Sequence, residues 1–397
     1  MGVAYRIPSL AAASVAALLL AAPAPALAGT VAENQRSTQR TAFTAAESVQ
    51  AEVGRIRQAR FFADSVEEYR AALAPAARAA KEPWLVLSGG GENGAYAAGL
   101  LNGWSEAGTR PRFGVVTGIS TGALIAPLAF AGAEADAALK EAYTTISAAD
   151  VFEFGGTGQS LTDTWPLTKL IARFVTPELL ARVAEEHRQG RRLFVVTTNI
   201  DVQRPVAWNM GAIAAEGSES SLKLFRDILL ASAAIPGIFP PVEIGVEANG
   251  KAFTEMHADG GITTPFFVAP EPVIAGLQSA RNALTTQPIY VVVNAQLQPE
   301  FQVTERSTLS ILGRSLGVAV KAASRAALSA HAGFAQRSGA RMQFTHIDER
   351  FTQSTKAPFD QDYMQALFAF GERVGRDGSA FRARPFEDPQ VRTAQRR

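Results

Sequence analysis

The sequence of 397 residues contains no cysteine. That absence removes disulfides, thiolate nucleophiles, iron–sulfur clusters and cysteine-based zinc sites together, along with any lipoprotein anchor, which needs a cysteine at its cleavage point. Histidine is scarce: His187, His257, His331 and His346 are the whole supply. No charge of one sign dominates either. Lys and Arg total 38 against 37 Asp and Glu, and Arg6 is the only charged side chain before Gly29, so the chain from Gly29 onward is balanced. A balanced chain lacks the positive excess with which nucleic-acid binders neutralise phosphates. Beyond the first 28 residues no apolar run approaches the roughly 18 residues that mark a membrane-spanning helix.

What is present is the composition of a folded protein, 47% hydrophobic and 19% charged. The length suits one large domain or a catalytic domain with appendages. Residues 1–28 combine Arg6, an apolar run from Leu10 to Ala22 and the small-residue sequence Ala26-Leu27-Ala28, the layout of a secretory signal peptide. Pro23 and Pro25 break any helix that would extend the run. The expectation is export, periplasmic or secreted, with cleavage near Ala28; a retained membrane anchor is the alternative.

Residues 29–82 read as an N-terminal helical extension, with helical spacing in Val53, Ile56 and Ala59 and again in Val66, Tyr69 and Leu73. At Trp84 the character changes. Trp84 to Ser88 is a continuous apolar run into Gly89-Gly90-Gly91, which suits a strand buried on both faces of a mainly parallel sheet. A helix through Tyr96, Leu100 and Trp104 follows, then a strand from Phe113 to Thr117 and an Ala- and Leu-rich helix. Residues 147–170 lack a clean period and read as an irregular excursion, a candidate lid. Thr176-Pro177-Glu178 starts a helix that Gly190 ends. Leu193–Thr197 is a third buried strand, Leu222–Ala234 an amphipathic helix, and Asn249-Gly250 a hairpin turn between Val242–Val246 and Lys251–Ala258. Ile289–Asn294 and Met342–Ile347 read as further strands, and Tyr363–Val374 as a helix before an Arg-rich tail.

Two glycine-flanked sequences carry chemistry. Gly118-Ile119-Ser120-Thr121-Gly122 places a serine at a strand-to-helix junction, where small residues two positions before and after let the backbone turn and leave the hydroxyl exposed. A helix N-cap serine is the plain alternative. Gly89-Gly90-Gly91-Glu92-Asn93-Gly94 fits either an oxyanion site built from amides or a dinucleotide loop. The dinucleotide reading needs an acid at the end of the next strand, and that strand ends in the serine elbow instead. A phosphate loop of the kinase or ATPase kind is excluded, because no Gly-Lys-Ser or Gly-Lys-Thr closes it. For a base, the candidates are His346 or His257 in a Ser-His-Asp arrangement, or Asp259 in Asp259-Gly260-Gly261, whose alternative is ordinary turn chemistry.

These motifs, in this order and with one helix between the first two, resemble the patatin-like phospholipase family. The segment Ala231-Ser232-Ala233-Ala234-Ile235-Pro236-Gly237-Ile238-Phe239-Pro240-Pro241 resembles the family's stretch between nucleophile and aspartate. The resemblance spans about residues 84–270 and implies an α/β fold of three layers, αβα, with a central mainly parallel sheet. It implies a catalytic domain over residues 83–275, followed by a C-terminal extension over 276–397 that packs on the core. It also implies a Ser120–Asp259 dyad without histidine, an oxyanion hole among Gly89, Gly90, Gly91, Glu92 and Gly94, motif glycines at Gly118, Gly122, Gly260 and Gly261, and no metal or cofactor. The expected activity is that of an exported lipid acyl hydrolase working through an acyl-enzyme, with a catalytically inactive binding protein as the rival of another class. The substrate is a lipid or acyl ester and peripheral membrane contact is a candidate, the Arg376–Arg397 tail offering one basic patch. Many family members carry Arg or Lys where this chain has Asn93, and an acid where it has Ser88; the missing cation points toward neutral acyl esters.

Overall fold

The computed structural model describes residues 40–386 apart from 55, 77, 156–159, 279–283, 300 and 302. The expected export signal and the end of the Arg-rich tail lie outside the described residues. The first third of the chain forms α1 (Ala45–Gln50), β1 (Arg60–Phe62), α2 (Val66–Leu73), β2 (Trp84–Leu87), α3 (Gly94–Glu106), β3 (Val115–Gly118) and α4 (Thr121–Ala131). Then come α5 (Asp136–Thr144), β4 (Glu153–Phe154), β5 (Thr162–Asp163), α6 (Trp165–Phe174), α7 (Pro177–Arg188), β6 (Arg192–Asn199), β7 (Arg204–Asn209), α8 (Met210–Glu216) and α9 (Glu219–Ser232). The remainder forms β8 (Val242–Ala248), β9 (Lys251–Asp259), α10 (Glu271–Ile274), β10 (Ile289–Gln296), α11 (Thr308–Ser338), β11 (Met342–Ile347) and α12 (Gln361–Arg376).

Nine strands make one sheet in the order β1-β7-β6-β3-β2-β10-β11, with the β8–β9 hairpin attached to β6 through β9. β6, β3, β2, β10 and β11 are parallel neighbours. Antiparallel pairings join β7 to β6, β1 to β7 and β9 to β6. Alternate side chains enter opposite faces of a strand, and here both faces are covered. Leu85, Leu87, Val116, Leu193 and Val195 pack with α3, α4, α7, α8, α9 and α12. Trp84, Val86, Val115, Phe194 and Val196 pack with α2, α11 and the segment from Phe266 to Ile274. That is the three-layer αβα arrangement the sequence led us to expect.

Two local readings change. Val53, Ile56 and Ala59 are not helical, because Glu52 exchanges both backbone hydrogen bonds with Glu247, each 2.9 Å, which an α-helix does not permit. The stretch 147–170 contains the short β4–β5 pairing and the start of α6, whose Pro166 sits in the first turn, where its missing N–H costs nothing. Among the described residues no helix is long and apolar enough to cross a membrane.

The C-terminal helix grips the helix that follows the glycine motif. A Cβ at Gly99 or Gly103 of α3 would run into the Phe368 or Glu372 carbonyl of α12, and one at Gly371 or Gly375 into the Tyr96 or Leu100 carbonyl of α3. Reciprocal glycines thus let the two backbones touch.

Candidate active site

Ser120 lies between β3 and α4 with φ 55° and ψ −126°. A non-glycine residue in such a region costs about 1–3 kcal/mol, sustained only where the surroundings over-determine it. Those surroundings are explicit. A Cβ at Gly118 would collide with the Gly122 carbonyl, and one at Gly122 would sit 2.5 and 2.6 Å from the Leu87 and Ser88 carbonyl oxygens. The Ser120 amide donates to Ser232 Oγ at 3.0 Å, and Ser232 Oγ donates to the Val196 carbonyl at 2.7 Å. Ser232 therefore ties the turn to the centre of β6.

The sheet brings Asp259 to the same point. Along one edge of β6, β3 pairs as far as Gly118 opposite Val195, and β9 arrives from the other direction with Asp259 opposite Thr197. The two strands meet end to end, so the residues at their tips converge. Asp259 Oδ1 accepts from the Gly261 amide at 2.7 Å, while Oδ2 is buried with no hydrogen-bond partner among the described residues. Burial pushes the carboxyl up to about 6, against the opposing pull of the Ser120 hydroxyl and the Gly261 amide. A carboxylate in this state is a stronger base than an exposed one and has one oxygen to offer a proton.

The glycine loop begins where β2 ends. Gly90 has φ 155°, and a Cβ there would strike the Asn294 carbonyl. Asn294, fully buried at the end of β10, organises the loop: its amide donates to Ser88 Oγ at 2.8 Å, its Nδ2 donates to the Ser88 carbonyl at 2.9 Å, and its Oδ1 accepts from the Ala97 amide. The Gly89 amide donates to the Pro265 carbonyl, and the Gly94 amide to the Gly91 and Glu92 carbonyls. The amides of Gly90, Gly91 and Glu92 donate to no acceptor among the described residues. Of the five candidates for an oxyanion site, these three have hydrogens to give.

The side chains after that loop reach toward the C-terminal region. Glu92 accepts from the Phe359 amide and is further held by Thr355 and the Asp360 backbone; burial raises its pKa despite them. Asn93 Oδ1 accepts from the Tyr363 hydroxyl at 2.7 Å. Phe359 itself is strained, with φ 53°.

Ser120 and Gly91 open onto an apolar cavity of about 90 Å³. Thr121, Leu124 and Leu128 line it at helical spacing along α4, about 10 Å of rise. Tyr143, Phe174 and Phe359 are among the groups that close it. Such a slot accepts a hydrocarbon chain and rejects a charged one.

The histidines are elsewhere. None lines the cavity. His257 faces Thr197 and Glu255, His331 the Ala327 carbonyl, His346 the Ile347 carbonyl and His187 the Arg192 side chain. No group of three or more His, Asp or Glu with a metal-holding arrangement occurs among the described residues. Sequence reasoning gave no role to Ser232 or Asn294. The signals available were a lone serine in an alanine-rich helix end and an asparagine closing an apolar strand.

Residues 85–270 match the family model described as Patatin-like phospholipase. No curated protein matches the chain. Among solved structures, VipD from Legionella pneumophila is similar over 76% of this chain and 68% of its own, at 13% identity and a TM-score of 0.39.

Proposed function

From the premise that residues 85–270 are a patatin-like phospholipase domain, of a family that acts on lipid acyl groups, we propose that this protein hydrolyses acyl esters with Ser120 as nucleophile and Asp259 as base. The observation that carries the proposal is the strained elbow of Ser120 set against a buried Asp259 whose Oδ2 has no hydrogen-bond partner among the described residues. Ser120 Oγ attacks the ester carbonyl as its proton passes to Asp259 Oδ2. The oxyanion that forms takes hydrogen bonds from the amides of Gly90, Gly91 and Glu92. Collapse releases the alcohol, which leaves with the proton from Asp259. Water then attacks the acyl-enzyme with Asp259 again as base, and the fatty acid departs.

The acyl chain lies in the apolar cavity along α4, and the alcohol portion points outward. Asn93, engaged by Tyr363, supplies no cation for an anionic headgroup, which favours neutral acyl esters. The engagement of His257 by Thr197 and Glu255 argues against its use as base. Export belongs to the same proposal, and the mass of the mature N-terminus tests it. A fluorophosphonate probe tests the chemistry: wild-type protein is labelled at Ser120, Ser120→Ala is not, and an unlabelled wild type identifies an inactive binding protein. A panel of neutral esters, phospholipids and lysophospholipids then assigns the substrate.

A further inference from the structure

The apolar cavity beside Ser120 has a definite length, because three helices run along it. α4 starts at Ser120, whose amide donates to Ser232 Oγ at the end of α9. The C-terminus of α9 therefore lies at the mouth, and the lining residues Ala233 and then Leu229 recede from Ser120. α6 is antiparallel to α9. Just before α6, the Thr162 amide donates to the Ile238 carbonyl, beyond the end of α9. At the other end of α6, Arg226 of α9 donates from Nε to the Val175 carbonyl at 3.0 Å and from Nη2 to the Val175 and Ala172 carbonyls at 2.6 and 3.3 Å. α6 thus begins beside the mouth and ends at depth.

Two of these helices measure the same depth. Along α4 the lining runs from Thr121 to Leu128, about 10 Å; along α6 it runs from Leu167 to Val175, about 12 Å. Leu128 is the last residue of α4 to line the cavity and Val175 the last at the α6 end, and both are buried, so they form its floor. An extended chain advances roughly 1.2 Å per bond, since the three backbone bonds of a residue span about 3.3–3.6 Å. The cavity therefore holds about ten carbons beyond Ser120, whereas a sixteen-carbon chain needs about 19 Å. The floor is also fixed. The last carbonyls of a helix have no partner within it, and the Arg226 guanidinium serves those of Ala172 and Val175. Pushing Val175 aside would strip both of their donor.

We propose that the cavity is a ruler for medium-length acyl chains, admitting about ten carbons, with Leu128 and Val175 as its floor and Arg226 as the positioning residue that holds the floor in place. The proposal rests on the acyl-ester reading of Ser120 and deepens it, but chain binding can be measured without turnover. In Ser120→Ala protein, methyl esters from hexanoate to palmitate displace a fluorescent apolar probe, with affinity rising roughly fourfold per added methylene up to decanoate and no further. With Ser120 intact, kcat/KM for p-nitrophenyl esters is highest at octanoate or decanoate and at least roughly tenfold lower for palmitate. Leu128→Phe raises the floor and moves both maxima to shorter chains. Arg226→Ala releases it and raises the palmitate-to-decanoate ratio roughly tenfold. Each readout is a ratio between chain lengths in one preparation, so loss of folded protein cancels. Affinity that keeps rising to palmitate, no binding of any ester, or maxima that neither substitution moves overturns the ruler. A Ser120 that a fluorophosphonate does not label, with the break at decanoate intact, instead sinks the catalytic reading and leaves the ruler standing.

Discussion

Glu255, His257 and Asp259 follow one another along a single buried face of β9, yet the two carboxylates live in opposite circumstances. Glu255 receives Ser48 Oγ, the Arg60 guanidinium and the His257 ring. His257 in turn meets Thr197, which accepts the Trp208 indole N–H at 2.8 Å. Burial alone would raise the Glu255 pKa; the hydrogen bonds and the Arg60 charge outweigh it and bring the group down to about 2. Asp259, four residues on and equally buried, has one amide and a neutral hydroxyl, and burial takes it up to about 6. The same strand thus holds one carboxylate that is finished with its chemistry and one that is not. Satisfied buried charges give structure, and an unsatisfied one keeps reactivity in hand.

The contrast is open to tests of decreasing size. Ser120→Ala should lower kcat/KM roughly ten-thousandfold, and Asp259→Asn roughly a thousandfold, with the protein still folded by circular dichroism. Removing a partner from the satisfied end should act on stability instead. Arg60→Ala takes the guanidinium from buried Glu255, leaving it only Ser48 and the His257 ring, and should cost about 3–5 kcal/mol in urea unfolding, while the folded fraction keeps near-wild-type turnover. Loss of turnover out of proportion to unfolding would erase the distinction between the two ends.

Asp259→Asn should also stabilise. Folding raises this pKa from 3.8 to about 6, so the fold prefers the protonated group, and wild-type stability falls as pH rises through that range. The Asn variant escapes the penalty: it should gain up to about 3 kcal/mol above pH 6 and nothing below about pH 4. The matching kinetic sign is an acid limb in kcat/KM near pH 6, because the base must be ionised to accept the Ser120 proton. An acid limb that stays near pH 4 would mean the carboxylate is not desolvated in solution. The smallest effect concerns Phe359. Phe359→Ala removes a ring from the cavity wall and should shift ester preference toward longer acyl chains by roughly three- to tenfold, read from a chain-length series.

Much of this was legible because burial leaves a plain mark on sequence. The run Trp84–Leu87 announces a strand covered on both sides, and Asn249-Gly250, observed with φ 53° and 78°, announces its hairpin. β7 escaped because Pro205 near its start argues against a strand interior, although it pairs with β6 over six residues. α11 escaped because its first half is exposed nearly all round, so no apolar stripe separates from a polar one. At the site, Ser120 and Asp259 were readable from their glycines. Ser232 and Asn294 were not, since each acts through a backbone atom that only the folded chain brings near. Likewise the Glu92 amide was foreseen, but the hold of its side chain on Phe359 was not.

The grip of α12 on α3 has a consequence for where this protein can be cut. The stretch that matches the family model stops at residue 270, before β10, which fills the sheet position beside β2, and before both α12 and the Phe359 loop. A fragment ending there would leave the edge of β2 open and α3, the helix after the glycine loop, without its clamp, and strand edges bared in that way invite aggregation. Swapping the recognised segment between relatives is accordingly a poor way to exchange specificity here; the unit that can be inherited, grafted or expressed extends to the end of α12.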